Sequence, residues 1–141
     1  MPIVEASINN IAVVAAAVVS MVIGAAWYSP LLFGKLWMKL SWMTEKQLAE
    51  AKKKGMAKSY AIAFLAVLVM SYVLAHFVDY LGATTVMAGV EAGFWLWLGF
   101  VATVLINGVL WEGKPFKLYL LNIAHYLIAL LVMGAILAVW V

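Results

Sequence analysis

The chain has no cysteine and no arginine, and only 11% of its residues are charged. Without cysteine there can be no disulfide, thiolate zinc site, iron–sulfur cluster or cysteine nucleophile. The absence of arginine, and of a basic stripe on any soluble module, argues against nucleic-acid binding. The scarcity of charge matters most. Soluble domains are about a quarter charged, and a chain that is 68% hydrophobic has too little polar surface to face water. A bilayer removes that requirement. Also missing are a Walker loop, a dinucleotide fingerprint, a serine elbow and an HExxH pair, so neither an enzyme nor a cofactor is expected. There is no low-complexity tract and no internal repeat. The two hairpins differ too much to support an inverted-repeat carrier.

What is present is an ordered pattern of lysines. Lys35, Lys39, Lys46, Lys52, Lys53, Lys54 and Lys58 lie between the first and second long apolar runs, and Lys114 and Lys117 between the third and fourth. That is the positive-inside signature. The 141 residues read as one all-α domain, a four-helix membrane bundle with spans at about 7–27, 59–80, 85–111 and 116–140. Each run holds roughly 20 or more largely apolar residues, enough at 1.5 Å per residue to cross a ~30 Å hydrocarbon core. Lipid leaves backbone groups no external partner, and the alternation of a membrane barrel is absent, so the spans are helices. The lysines put loops 29–58 and 112–115 in the cytoplasm and both termini outside, in the cell inner (plasma) membrane. The N-terminus lacks a basic leader region and carries Glu5, so the first run reads as a retained span rather than a cleaved signal.

The long loop has its own order. Leu31 to Met43 suits a segment on the membrane surface. Thr44 and Gln47 form a capping-box pattern for a short helix that runs to about Lys54 and stops at Gly55. Lys52, Lys53, Lys54 and Lys58 are placed to touch anionic headgroups, beyond their role in fixing orientation. Trp27, Tyr28, Trp37, Trp42, Trp111 and Tyr119 fit the inner interfacial belt, and Tyr80, Trp95 and Trp140 the outer one. Trp97 lies deeper and reads as packing.

Ionisable residues in a span are functional candidates by default. His76, Asp79 and Glu91 fall at similar depth beside the turn at residues 81–84 and could converge. Such a group could be a hydrogen-bonded interfacial cluster, a proton or ion site, or a weak metal set; the first reading is the plainest. Thr103, Asn107, Asn122 and His125 fall at comparable depth nearer the lysines. They read as interhelical hydrogen-bonding groups or as the lining of an inner polar layer. A bis-histidine haem is excluded within one subunit, because His76 and His125 would lie roughly 25 Å and 15 Å above the lysine side. Small residues give the packing signal: Ala12, Ala16, Ser20 and Gly24 every four residues, and the Gly89/Gly93 pair. One seam could close the bundle and the other meet a second copy, so a homo-oligomer is expected, most simply a dimer.

The stretch Trp27-Tyr28-Ser29-Pro30-Leu31-Leu32-Phe33-Gly34-Lys35-Leu36-Trp37-Met38 is distinctive, as are Leu81-Gly82-Ala83-Thr84-Thr85, Trp97-Leu98-Gly99-Phe100-Val101-Ala102-Thr103 and Met133-Gly134-Ala135-Ile136-Leu137. Over almost the whole chain the sequence resembles a family of small prokaryotic integral membrane proteins known as domain of unknown function 1761. The resemblance implies a complete four-span protein and carries over no catalytic or ligand residue. The functional expectation is a self-associating structural or interaction protein, anchored at the interface by Trp27–Met38. The alternative is a minimal oligomeric transporter or channel for a small solute, ion or proton. A membrane enzyme acting on lipid or quinone has only the polar groups to recommend it.

Overall fold

Asn9 decides where the first long helix begins. Its side-chain oxygen accepts from the backbone N–H groups of Ile11 and Ala12, at 3.0 and 3.2 Å. This N-cap satisfies donors that would otherwise be orphaned. Helix α1 is therefore Asn10–Trp27, starting three residues later than the hydropathy of residues 7–27 implies. The computed structural model of the chain describes residues 7–140, so Glu5 lies outside the described residues. The other helices are α2 (Gly34–Leu40), α3 (Glu45–Lys53), α4 (Ala57–Tyr80), α5 (Val86–Glu112) and α6 (Phe116–Val139). No strand occurs among the described residues. Four of these helices, α1, α4, α5 and α6, are long and apolar enough to cross a membrane.

The short helices follow local rules. Thr44 Oγ1 accepts from the Gln47 N–H at 3.1 Å, and Gln47 Oε1 accepts from the Thr44 N–H at 2.9 Å. The expected capping box is therefore complete. Gly55 ends this part of the chain at φ +86°, a backbone angle that disfavours a side chain. Thr85 caps α5 in the same way as Thr44 caps α3, accepting from the Ala88 N–H at 3.1 Å. Pro115, with φ −60°, opens α6.

Helix α6 is the hub, packing against α1, α4 and α5. In its most apolar window 39% of residues are buried, against 11% for α5. The core is built from Ala12, Val13, Ala16, Leu74, Ala75, Val78, Ala92, Leu130, Met133, Leu137 and Ala138. The α5–α6 contact is backbone on backbone: a Cβ added at Gly89 would overlap the Gly134 carbonyl, and one at Gly93 the Leu130 carbonyl. Close approach of this kind is how helices gain packing energy in lipid. Ser71, fully buried, donates to the Val13 carbonyl at 2.8 Å and joins α4 to α1. Ala12, Ala16 and Ser20 are buried as well. Both small-residue seams thus lie inside the protomer, and neither faces outward toward a second copy.

The outer faces are as apolar as the interior. Ile11, Val22, Leu65, Val69, Trp95, Phe100 and Leu110 are all at least 60% exposed. A bundle stable in water needs polar residues on those faces. Lipid does not. All nine lysines sit on the elements that join the helices at one end or on the adjoining helix turns. That end is called the lysine end below, and the opposite one the far end.

Candidate functional site

At the far end the three expected partners do not meet. His76 Nδ1 donates to the Tyr72 carbonyl of its own helix at 2.8 Å, and its ring lies between those of Tyr72 and Tyr80, with centroids at 4.6 and 6.0 Å. Asp79 faces the other way and accepts the Ser7 N–H at 3.2 Å. It lines a small cavity of about 70 Å³ with Asn9, Thr84 and Trp140 that includes neither His76 nor Glu91. Glu91 is exposed on α5. Among the described residues no three metal-binding side chains cluster. Neighbouring positions on α4 thus point to different partners, His76 to its own helix and Asp79 to Ser7.

The inner layer also divides. Thr103 Oγ1 donates to the Gly99 carbonyl at 2.6 Å, and Asn107 Nδ2 to the Val104 carbonyl at 3.0 Å. Both repair α5 itself, whose ladder loosens into a π-turn at Leu98–Ala102 and breaks again at Ile106. Such insertions leave carbonyls short of partners. Ala102 O accepts from the Tyr119 hydroxyl of α6 at 2.6 Å. Asn122 and His125, one turn apart on α6, both meet an aromatic wall supplied by the distinctive motif, Asn122 at the Tyr28 hydroxyl and His125 at the Tyr28 ring.

That motif is a tight elbow. Ser29 Oγ donates to the Ala26 carbonyl at 2.7 Å, closing α1. Pro30 has no N–H to continue the helix. The Phe33 and Gly34 N–H groups then return to the carbonyls of Trp27 and Ser29, at 3.0 and 2.9 Å. A Cβ on Gly34 would overlap the backbone of Tyr28 and Ser29, so this reversal requires glycine. It presses Trp27 and Tyr28 onto α6. Trp27 Nε1 donates to the Leu121 carbonyl at 3.2 Å, and the Tyr28 hydroxyl to Asn122 Oδ1 at 2.7 Å. Phe33 packs tilted against Trp27 at 4.6 Å, and Trp37 meets Tyr28 edge-on at 6.2 Å. Burial, with Tyr126 adding to it, pushes the Tyr28 hydroxyl up to about 12.

His125 lies behind this wall, surrounded by the rings of Tyr126, Tyr28 and Trp27 at 4.9, 5.3 and 6.4 Å. It is only 9% exposed, and neither ring nitrogen has a hydrogen-bond partner. Gly24 leaves the space its Nε2 occupies, since a Cβ there would stand 3.2 Å away. Asn107, Gly108, Glu112, Lys114, Leu118, Tyr119 and Asn122 line an open cleft of about 210 Å³. Glu112 and Lys114 form an exposed ion pair at 3.2 Å. Tyr126, Tyr119 as a bridge to α5, and Ser71 were not singled out from sequence. A hydroxyl one turn before Asn122 and a serine amid the apolar run of α4 were the available signals.

A family model described as "Protein of unknown function (DUF1761)" matches residues 11–138. No curated protein and no solved structure matches the chain.

Proposed function

The chain belongs to that family of unknown function, which brings no activity with it, and from the geometry we propose a non-enzymatic, integral membrane interaction protein that associates with itself. The observation that carries this reading is the asymmetry of the bundle. Helix α6 closes tightly on α1 and α5, whereas α4 and α5 diverge and leave an apolar groove of about 370 Å³ lined by Met70, Val73, Phe77, Leu96 and Phe100. A second copy, related by a twofold axis, would fill that groove with the Phe100 side of its own α5. The lysine end lies in the cytoplasm of the cell inner membrane, with both termini outside, by the positive-inside rule.

The cysteine-free chain makes the test direct. Copies carrying a cysteine at Phe77, mixed with copies carrying one at Phe100, should cross-link in native membranes, and a Val14 cysteine mixed with Phe100 should not. Monomeric photobleaching steps in lipid nanodiscs, with no Phe77–Phe100 cross-link, would refute the dimer. Thiol labelling of Lys53→Cys from outside intact cells would invert the orientation.

A minimal carrier for a small solute is the second reading, favoured by the two end cavities. Between them Ala16, Ala17, Ala129 and Met133 are at most 1% exposed, so the midsection is packed solid. Flux of any tested ion or solute through liposomes holding the protein, abolished by Asn122→Leu, would favour the carrier instead.

A further inference from the structure

The lysine-end cleft has a composition that neither self-association nor the aromatic wall uses. Val104, Leu105, Val109 and Leu118 make its walls partly apolar, and Asn107, Glu112, Lys114 and Asn122 make them partly polar. The polar groups are half used. Asn107 commits its amide N–H to the Val104 carbonyl and keeps its oxygen as an acceptor. Asn122 commits its oxygen to the Tyr28 hydroxyl and keeps its N–H donors. Glu112 and Lys114 present one charge of each sign side by side. The cleft lies where the two helices end, the level at which hydrocarbon gives way to headgroups for spans of this length.

We propose that this cleft binds the headgroup of a zwitterionic aminophospholipid. The phosphate sits on Lys114 and the Asn122 amide, the primary ammonium on Glu112 and the Asn107 oxygen, and the glycerol end against Val104 and Leu118. An anionic headgroup would leave Glu112 facing like charge. A quaternary ammonium would offer no N–H to the two oxygen acceptors. The volume suits a headgroup alone, with the acyl chains lying on the apolar outer surface. The site requires the membrane placement but not the dimer, so it stands or falls separately from self-association.

The test is native mass spectrometry of the full chain released from nanodiscs holding equal parts phosphatidylethanolamine, phosphatidylcholine and phosphatidylglycerol. The expected result is preferential retention of phosphatidylethanolamine. Glu112→Gln and Lys114→Gln should each lower it on the order of tenfold, the size expected for losing one charged hydrogen-bond partner, with helical circular dichroism unchanged. The double variant Glu112→Lys with Lys114→Glu keeps an ion pair but reverses its direction, and should bind as poorly as the single variants. Wild-type retention in that double variant would make the pair purely structural and overturn the proposal. So would equal retention of the three lipids, or displacement of the lipid by millimolar phosphoethanolamine, which would indicate a soluble ligand.

Discussion

The two halves of α5 belong to one long apolar helix yet behave in opposite ways. From Val86 to Trp97 the helix is regular, and Gly89 and Gly93 let it touch the backbone of α6 at Gly134 and Leu130. From Leu98 to Glu112 it loosens into a π-turn, breaks at Ile106, and recruits Thr103 and Asn107 to mend its own carbonyls. Two glycines occur here too, but nothing lies within 4 Å of where a Gly99 Cβ would be, and one at Gly108 would meet only the side chains of Lys114 and Glu112. The far half is sealed, and the lysine half opens a cleft. Both halves belong to a helix long and apolar enough to cross a membrane. What separates them is whether a missing side chain faces a neighbouring helix.

The contrast can be broken most directly at its two glycines. Gly93→Ala should destabilise the fold by about 3 kcal/mol, the upper end for overpacking, because the opposing Leu130 carbonyl cannot rotate away. Gly99→Ala should leave stability unchanged or slightly raised, since alanine is the better helix former and meets open space. Helical circular dichroism during detergent-titrated unfolding measures both, and equal losses would end the distinction between the halves. His125→Leu probes the lysine end with the opposite sign. Removing a buried imidazole with two unpartnered nitrogens should leave stability unchanged or raise it by about 1–3 kcal/mol. A clear loss would show that His125 holds a partner in the membrane.

Smaller effects sharpen the picture. Ser71→Ala and Tyr119→Phe each delete one interhelical hydrogen bond and should cost about 0.5–2 kcal/mol. Tyr119→Phe should in addition speed amide exchange around Ala102, where the π-turn loses its tether. Thr44→Ala removes the capping box outside the bundle. It should cost about 1 kcal/mol of local α3 stability and leave the unfolding midpoint of the long helices in place.

Much of this was legible beforehand because it is local. Four apolar runs, the Thr44/Gln47 box, the Gly55 stop and the Pro115 start each depend on residues within a turn of one another. The candidate site was legible only in part. Asn122 and His125 were found by their cost in lipid, and the elbow by its unusual composition. Convergence of His76, Asp79 and Glu91 was inferred from depth, but His76 satisfies itself on the Tyr72 carbonyl of its own helix, a choice that sequence spacing does not exclude. The π-turn left no sign in a run as uniformly apolar as Leu98–Ala102.

The amino-acid order by itself determined the solvent and the number of long helices, because the transfer of apolar side chains and the satisfaction of backbone hydrogen bonds are properties of each segment alone. It also determined where lysine gathers. The tertiary structure alone decided that Gly89 and Gly93 seal α5 to α6, that the elbow sets Tyr28 against both Asn122 and His125, and that Glu112, Lys114 and two half-used amides share one cleft. Those outcomes depend on rotation about helix axes and on how closely backbones approach, which only the neighbouring helices fix.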